Sequence, residues 1–262
     1  EFVGNNPNTS AQIIYYLKKR HTLGKMDMEI QDENGKKIVS IIPGKQKGIN
    51  VVNWGYNMKN PKTAVGKTIS NAGFTAPRAP EGSYKVVITK GKEIYTHTFS
   101  VNNDPKSTVN KEDRSKQMET TRILFNMNEK LAYYGYEVDE TIKLLTQEIE
   151  KNKGFTKEGT KIKTAFETLK AKMVVTTGDG YVNSAEPQLR EKLGELYANV
   201  ASNFKAPSSS QMENLELIKQ LFDTIDSEFK ALKTKYEATY LKQATTNNIP
   251  FVLKSFEEFI KE

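Results

Sequence analysis

The chain has 262 residues, a length that suits two ordinary domains. Its composition, 37% hydrophobic and 27% charged residues, is typical of a folded protein. It contains no cysteine and no apolar run of the ~20 residues that span a bilayer, which excludes disulfides, thiolate catalysis, cysteine metal sites and a membrane span. The net charge of +7 lies in residues 1–103, which hold 15 Lys and Arg against 7 Asp and Glu, while the remainder holds 24 against 25. Because residues 1–30 also lack the order of a signal peptide, we expect the chain to be a piece of a longer protein.

From Gln12 to Val101 the pattern is typical of antiparallel strands. Short runs rich in β-branched and aromatic residues alternate with turn residues at roughly ten-residue spacing. The predicted strands cover 12–18, 25–31, 36–42, 49–54, 83–89 and 94–101. Asn34-Gly35 and Gly91 supply hairpin turns, since these residues tolerate positive φ. Six or seven short strands in about 100 residues close a core as a sandwich or a small barrel.

The cations of this first part are spread along strands and turns, and only Lys18-Lys19-Arg20 form a cluster. Such a basic excess is compatible with a polyanion site or with a solvated surface. Because lysines also blunt exposed sheet edges, we favour the solvated surface and expect no nucleic-acid partner.

After Asn102-Asn103-Asp104-Pro105 the period becomes that of a helix. Pro105 ends the last strand, and Ser107 or Thr108 is expected to cap the first helix. Apolar residues at steps of three and four then predict one long amphipathic helix. They are Ile123, Met127, Leu131, Tyr134, Val138, Ile142, Leu145 and Ile149.

Similar stripes predict two shorter helices, at 162–173 and 189–204, and a second long helix at 215–240. Pro207-Ser208-Ser209-Ser210 separates the last two, and 249–260 is a final apolar-rich segment. Helices with one stripe each bury those stripes against one another. The predicted fold is therefore an all-β domain plus an all-α domain: an immunoglobulin-like β-sandwich at 1–103 followed by an antiparallel helical bundle at 104–262.

Few residues of the chain offer chemistry. His21 lies in a predicted turn, and His97 shares a strand face with Tyr95 and Phe99, so the two histidines show neither a partner arrangement nor metal-ligand spacing. We interpret His97 as a hydrogen-bonded residue beside the core. The sequence predicts no catalytic residue, no metal site and no cofactor.

Gly178-Asp179-Gly180 could wrap a cation or a phosphate, but only Asn183 and Glu186 follow as further oxygen ligands. We therefore interpret it as an interhelical turn. The paired acids Glu257-Glu258 and Asp139-Glu140 are interpreted as solvated helix faces, because glycosidases need two carboxyls that converge across a cleft.

Aromatic residues near the end of the fourth predicted strand are the candidate ligand-binding residues. Trp54, Tyr56, Phe74 and Tyr84 could form a platform on which a carbohydrate stacks, whereas core packing is the competing interpretation for Trp54. The segment 55–80 is the predicted binding loop, since loops on a rigid sandwich commonly carry recognition.

Three ordered segments and two features of the helical half carry a resemblance to a known family. They are Gly4-Asn5-Asn6-Pro7 with Ile13-Ile14-Tyr15-Tyr16-Leu17, then Ile30 to Lys36, then Ala79 to Val86 leading to Phe99 to Lys106, with Gly194-Glu195-Leu196-Tyr197 and Pro207 further on. Their order resembles the C-terminal region of large bacterial proteins, frequent in Bacteroidetes, grouped as glycosyl hydrolases with BNR or sortilin-type β-propeller repeats. The chain departs from that pattern at Gly55, where Asp is usual, and at Lys106, where Arg is common.

The resemblance implies that β-propeller domains precede this chain in an exported parent, so that it lies in the periplasm, on the outer surface or outside the cell. No catalytic residue of the family maps onto this chain. The expected function is a non-catalytic accessory module that docks, stabilises or spaces. Two alternatives remain: a carbohydrate- or protein-binding module that uses the loop 55–80, and an enzyme in its own right.

Overall fold

The computed structural model describes residues 9–178 and 185–261. Two compact units are present: one combines residues up to Lys59 with Ala76–Thr108, and the other combines Asn60–Thr75 with residues from Val109 onward. About 50% of the chain is helix and 19% is strand, so the predicted combination of β and α structure is confirmed. The immunoglobulin-like arrangement stays a prediction. The predicted domain boundary lies between residues 103 and 104. In the structure the first unit continues to Thr108, and the segment 60–75 belongs to the second unit.

From residue 9 onward, where the structure describes it, the first, β-rich unit contains two antiparallel sheets. Its strands are Ala11–Leu17 (β1), Met26–Asp32 (β2), Lys37–Ile41 (β3), Gly48–Trp54 (β4), Gly82–Lys90 (β5) and Glu93–Val101 (β6). β1 pairs with β4, and the others form a four-stranded sheet in the order β3-β2-β5-β6. Gly35 and Gly91 have φ of 79° and 61°, so both hairpin turns use the backbone freedom of glycine.

One core lies between the two sheets. Met26, Met28 and Ile30 alternate with acidic or polar neighbours along β2, and all three are buried. The core continues with Trp54 from β4 and with Tyr84, Val86 and Ile88 from β5, while inward side chains of β1 are half-buried. The period of two therefore places one face of each sheet inside.

Within the described residues, the second, helical unit contains five α-helices. They are Lys111–Lys151 (α1), Thr156–Met173 (α2), Leu189–Ala201 (α3), Ser209–Thr246 (α4) and Phe256–Lys261 (α5). The predicted cap at Ser107 or Thr108 is wrong, since the side chain of Asn110 accepts a hydrogen bond from the Asp113 amide at 2.7 Å and α1 begins one residue later. Among residues 9–178 and 185–261, no helix combines the length and the hydrophobicity that crossing a membrane requires.

α1 is the central helix and packs against α2, α3 and α4. Its buried residues cover more than one face, because neighbours surround it. The core joins Leu131 and Leu145 of α1 with Phe166 of α2, Leu193 of α3 and Phe222 of α4. Ala64 and Ala72 from the segment 60–75 belong to the same core.

Candidate binding groove on the β-rich unit

An open cavity of about 540 Å³ lies beside β1 in the β-rich unit. Side chains from β1, β5 and β6 surround it, and most of them are apolar. They are Ala11, Gln12, Ile13, Ile14, Tyr15, Val86, Ile88, Tyr95, Thr96, His97 and Phe99. We call this cavity the β1–β6 groove.

The register of β5 and β6 explains why the groove is open. Val86 pairs with His97 and Ile88 pairs with Tyr95, so these four side chains share one sheet face. The two β5 residues are buried, whereas Tyr95 is 54% exposed and His97 is also exposed. The two-stranded sheet therefore covers β5 and leaves the first half of β6 uncovered.

Two strand edges border the groove. Among the described residues, β1 pairs only with β4, and β6 pairs only with β5. The two edges of the four-stranded sheet differ: β3 has five residues, begins with Lys37 and faces a register shift at Ile30/Gln31, whereas β6 has nine residues in unbroken register. β6 also contains no Lys, Arg or Pro, the residues that usually protect an edge from further pairing.

The polar groups of the groove are few. The hydroxyl of Tyr15 donates to the Gly44 carbonyl at 2.5 Å, and burial raises the pKa of this phenol, so it stays a neutral donor. His97 places an imidazole on the groove wall, where its two nitrogens can bind peptide groups. The arrangement suits an extended apolar segment and offers no nucleophile paired with a base.

Trp54, the first predicted ligand-binding residue, lies in the core. It is 3% exposed, its indole N–H donates to the Asn57 carbonyl at 2.9 Å, and its ring lies 5.6 Å from Tyr84 and 5.9 Å from Phe99. Tyr56 lies 5.5 Å from Trp54, is half-buried and has a φ of 59°. The two rings form one aromatic cluster, in which Trp54 is buried in the core and Tyr56 is half-buried.

Phe74, the third predicted residue, belongs to the helical unit and is 80% exposed. It ends a short 3-10 helix, Asn71–Phe74, in which Ala72 is fully buried. The predicted binding loop 55–80 is thus divided between the two units. The structure brings Trp54 and Tyr56 together and assigns Phe74 to a different body.

The segment 60–75 is fixed within the helical unit by polar contacts. The guanidinium of Arg190, 3% exposed, donates to the carbonyls of Ala64 at 3.0 Å and Thr68 at 2.8 Å, and pairs with Glu191. The hydroxyl of Tyr197 donates to the Thr75 carbonyl at 3.0 Å. These bonds pair three backbone carbonyls of the segment, of which that of Ala64 is buried.

Two helix glycines allow the close approach of this segment. A Cβ at Gly135 of α1 would lie 3.3 Å from the Cβ of Ala64, and one at Gly194 of α3 would lie 2.8 Å from the Ser70 hydroxyl. Most of the predicted loop is therefore a structural part of the helical unit.

The other candidates have local roles. His21 hydrogen-bonds the Gly24 carbonyl of its own turn at 3.1 Å, and Glu258 accepts from the amide and hydroxyl of Ser255 before α5. Asp139 pairs with Lys170 of α2. In the Gly178-Asp179-Gly180 motif, Asp179, Gly180 and the downstream Asn183 lie outside the described residues. Within the part of the chain that the structure describes, no cluster of three His, Asp or Glu side chains is suited to a metal ion.

Sequence reasoning missed the β1–β6 groove and the buried Arg190. The alternation of Tyr95, His97 and Phe99 was a signal for one shared face, but exposure of that face depends on which strand lies opposite. In comparisons with protein-family models, curated proteins and solved structures, no match was found.

Proposed function

We propose that the chain is a non-catalytic accessory module of a larger exported protein, and that its β-rich unit docks a neighbouring domain through the β1–β6 groove. The observation that supports this most is the pair of free strand edges beside an apolar cavity. Extended segments commonly bind such edges by adding a strand, with backbone hydrogen bonds for affinity and pockets for alternate side chains.

We propose further that the β-rich unit is immunoglobulin-like. In that fold, strands B and E pair in one sheet, and C, F and G form the other, with C′ added beside C in the variable type. The observed order fits if β1 and β4 are B and E, and β2, β3, β5 and β6 are C, C′, F and G. Tyr84, near the start of β5, donates to the Pro80 carbonyl at 2.8 Å, as in the tyrosine corner of strand F.

This correspondence places the groove beside the strand edge that strand A occupies in immunoglobulin-like domains. Strand A lies beside strand B in immunoglobulin-like sandwiches, and no described strand pairs with that edge of β1. A strand supplied by a neighbouring domain would fit there. The resemblance of the chain to the C-terminal region of β-propeller proteins suggests that preceding propeller domains supply it, in the periplasm or outside the cell.

Binding in trans tests the docking proposal. The domains that precede this chain in the full gene product are mixed with it, and affinity is measured by calorimetry. His97→Lys places a charge in the groove and is expected to abolish binding, whereas Thr98→Lys, on the opposite face of the same exposed strand, serves as the matched control. Equal affinities for both variants would contradict docking at the groove.

A hydrolase panel tests the non-catalytic part of the proposal. The isolated chain is expected to fold and to leave glycosidic substrates intact. Turnover that persists in a preparation free of contaminating hydrolases would overturn it.

A carbohydrate- or protein-binding module is the second candidate function. The observation that favours it is the 80% exposure of Phe74, since a stacking platform needs an accessible ring. A glycan array with Phe74→Ala and Tyr56→Ala separates the candidates. Binding lost in Phe74→Ala alone would favour this function, and an array without signal would remove its glycan form.

A further inference from the structure

One end of the β-rich unit is strongly basic. Three connections meet there: 18–25 between β1 and β2, 42–47 between β3 and β4, and 91–92 between β5 and β6. The His21 amide donates to the Lys45 carbonyl at 3.0 Å, and the Gly91 amide donates to the Lys25 carbonyl at 3.2 Å, so the three loops are neighbours. We call them the basic end.

The loops of the basic end carry seven cations and no acid. The cations, all exposed, are Lys18, Lys19, Arg20, Lys25, Lys45, Lys47 and Lys92. One of them, Lys25, pairs with Asp27 at 3.1 Å. Glu33, Glu81 and Asp104 lie towards the other strand ends, whereas Glu93 follows Lys92 and pairs with Lys90 at 2.9 Å. Positive charge therefore predominates at the basic end, with Asp27 and Glu93 as the acids beside it.

Large apolar side chains project among these cations. Leu23 is 85% exposed and Ile42 is 88% exposed, each in a different loop. The adjoining end of the two-stranded sheet adds Tyr16 and Ile49, a cross-strand pair that is 66% and 72% exposed. Such a grouping of exposed apolar residues usually marks an interaction surface.

The basic end is also well ordered by internal bonds. The side chain of the buried Asn50 accepts from the Gln46 amide at 3.0 Å and donates to the Gln46 carbonyl at 2.8 Å, and Tyr15 donates to Gly44. The apolar side chains are therefore presented by a rigid support, and folding of the unit does not bury them.

We propose that the basic end binds an anionic lipid surface, with Leu23 and Ile42 entering the headgroup region. Seven exposed cations beside only two acids, Asp27 and Glu93, match a negatively charged surface. Separate apolar side chains on loop tips do not form the continuous apolar centre of a protein interface, whereas a lipid surface accepts them individually. This surface is distinct from the β1–β6 groove and does not depend on docking there.

Sedimentation with lipid vesicles tests the proposal. The full chain is expected to bind vesicles of phosphatidylcholine mixed with phosphatidylglycerol and to ignore pure phosphatidylcholine. Binding should fall as salt rises, since the Debye length shortens from about 10 Å at 0.1 M to about 3 Å at 1 M.

Matched variants test whether the basic end is the surface that binds the vesicles. Lys45→Gln with Lys47→Gln is expected to weaken binding about thirtyfold, because each basic residue near the surface contributes about fivefold. Lys36→Gln with Lys37→Gln, an exposed pair at the other end of the strands, should leave binding unchanged. Leu23→Ser with Ile42→Ser should weaken binding about tenfold or more through lost apolar insertion.

Three results would overturn the proposal. The first is no binding to anionic vesicles at low salt. The second is a failure of the variants to differ as expected. Substitution of the two lysine pairs would then weaken binding equally, or substitution of Leu23 and Ile42 would leave binding unchanged. The third is capture by polyglutamate without any binding to vesicles, which would assign the surface to an acidic protein instead.

Discussion

The two units treat their apolar surface differently. In the helical unit, the stripes of α1 to α4 face one another, and even the segment 60–75 is drawn into that core by Ala64 and Ala72. In the β-rich unit, Tyr95 stays exposed on a core-facing strand, and Ile14, Tyr16, Ile49 and Val51 lie exposed on the outer face of the two-stranded sheet. Packing within the chain accounts for the helix stripes, although Val65, Ile69, Phe74, Leu217 and Val252 of the helical unit are exposed. In the β-rich unit the exposed apolar residues lie side by side on paired strands, and such a grouping is where partners are expected.

The largest expected effect is on the stability of the helical unit. Phe166 of α2 is 1% exposed, so Phe166→Ala leaves a cavity and should lower the free energy of unfolding by about 4 kcal/mol. Phe74→Ala removes the same side chain at an 80% exposed position and should cost no more than about 0.5 kcal/mol. Urea unfolding measures both. Similar losses for the two variants would show that burial does not distinguish them.

Arg190→Met is the next largest change. It removes the cation that holds Ala64 and Thr68, leaves their carbonyls unpaired, and should cost about 3 kcal/mol. The amide of Lys67, which donates to Val175 at 2.8 Å, should lose protection from hydrogen exchange. Lys192→Met, two residues along the same helix and exposed, is the control. An unchanged exchange rate at Lys67 would refute the clamping role of Arg190.

In the β-rich unit, Tyr84→Phe removes one largely buried hydrogen bond to Pro80 and should cost about 1 kcal/mol. Tyr16→Phe removes a hydroxyl from an exposed ring and should be neutral. Thermal unfolding of both variants checks this. Equal midpoints would argue against a tyrosine corner at this position.

The effect expected at Asp226 is no larger than that of Tyr84→Phe, and it depends on pH. Burial raises the pKa of this carboxyl, but hydrogen bonds from Lys230, Tyr134 and Lys130 outweigh it and hold the pKa below its usual range. Because the pKa of this carboxyl is lower in the folded protein than in the unfolded chain, the ionised carboxylate stabilises the fold at pH values above the unfolded-state pKa of about 4. This stabilisation is lost as the pH falls towards the folded-state pKa. Asp226→Asn should therefore cost about 1 kcal/mol at about pH 7, because the ion pairs are partly solvated.

The stability difference between the wild type and Asp226→Asn should shrink as the pH falls below about 4. Asp223→Asn, one turn earlier and exposed, supplies the control. A difference that stays constant or grows in acid would contradict this sign.

Local features of the fold could be predicted from the sequence, because they depend on near neighbours. Alternation of Met26, Met28 and Ile30 identifies β2, and the steps of three and four in α1 identify the long helix. The pairing of β1 with β4 could not be predicted in this way, since strand pairing across about 30 to 40 residues leaves no local pattern.

The candidate site was harder to predict. Trp54 and Tyr56 do lie together, but Phe74 belongs to the helical unit, where its neighbour Ala72 lies in the core and Tyr197 donates to the Thr75 carbonyl. These contacts come from residues more than a hundred positions away, so no local pattern indicates them. The groove follows from an uncovered half of β6, which only the opposite sheet determines. Sequence periodicity predicts which residues share one face of a strand, but it does not predict which element packs against that face.

The proposed function of the β-rich unit depends on docking of a neighbouring strand in the β1–β6 groove. Hydrogen exchange of β1 and β6, measured in this chain alone and in the full gene product, tests this docking. We predict that alternate amides along Tyr95 to Phe99 and along the free edge of β1 exchange rapidly in the isolated chain and become protected in the full product, while amides of α1 are unchanged. Equally rapid exchange at both edges in the full product would contradict docking in the groove.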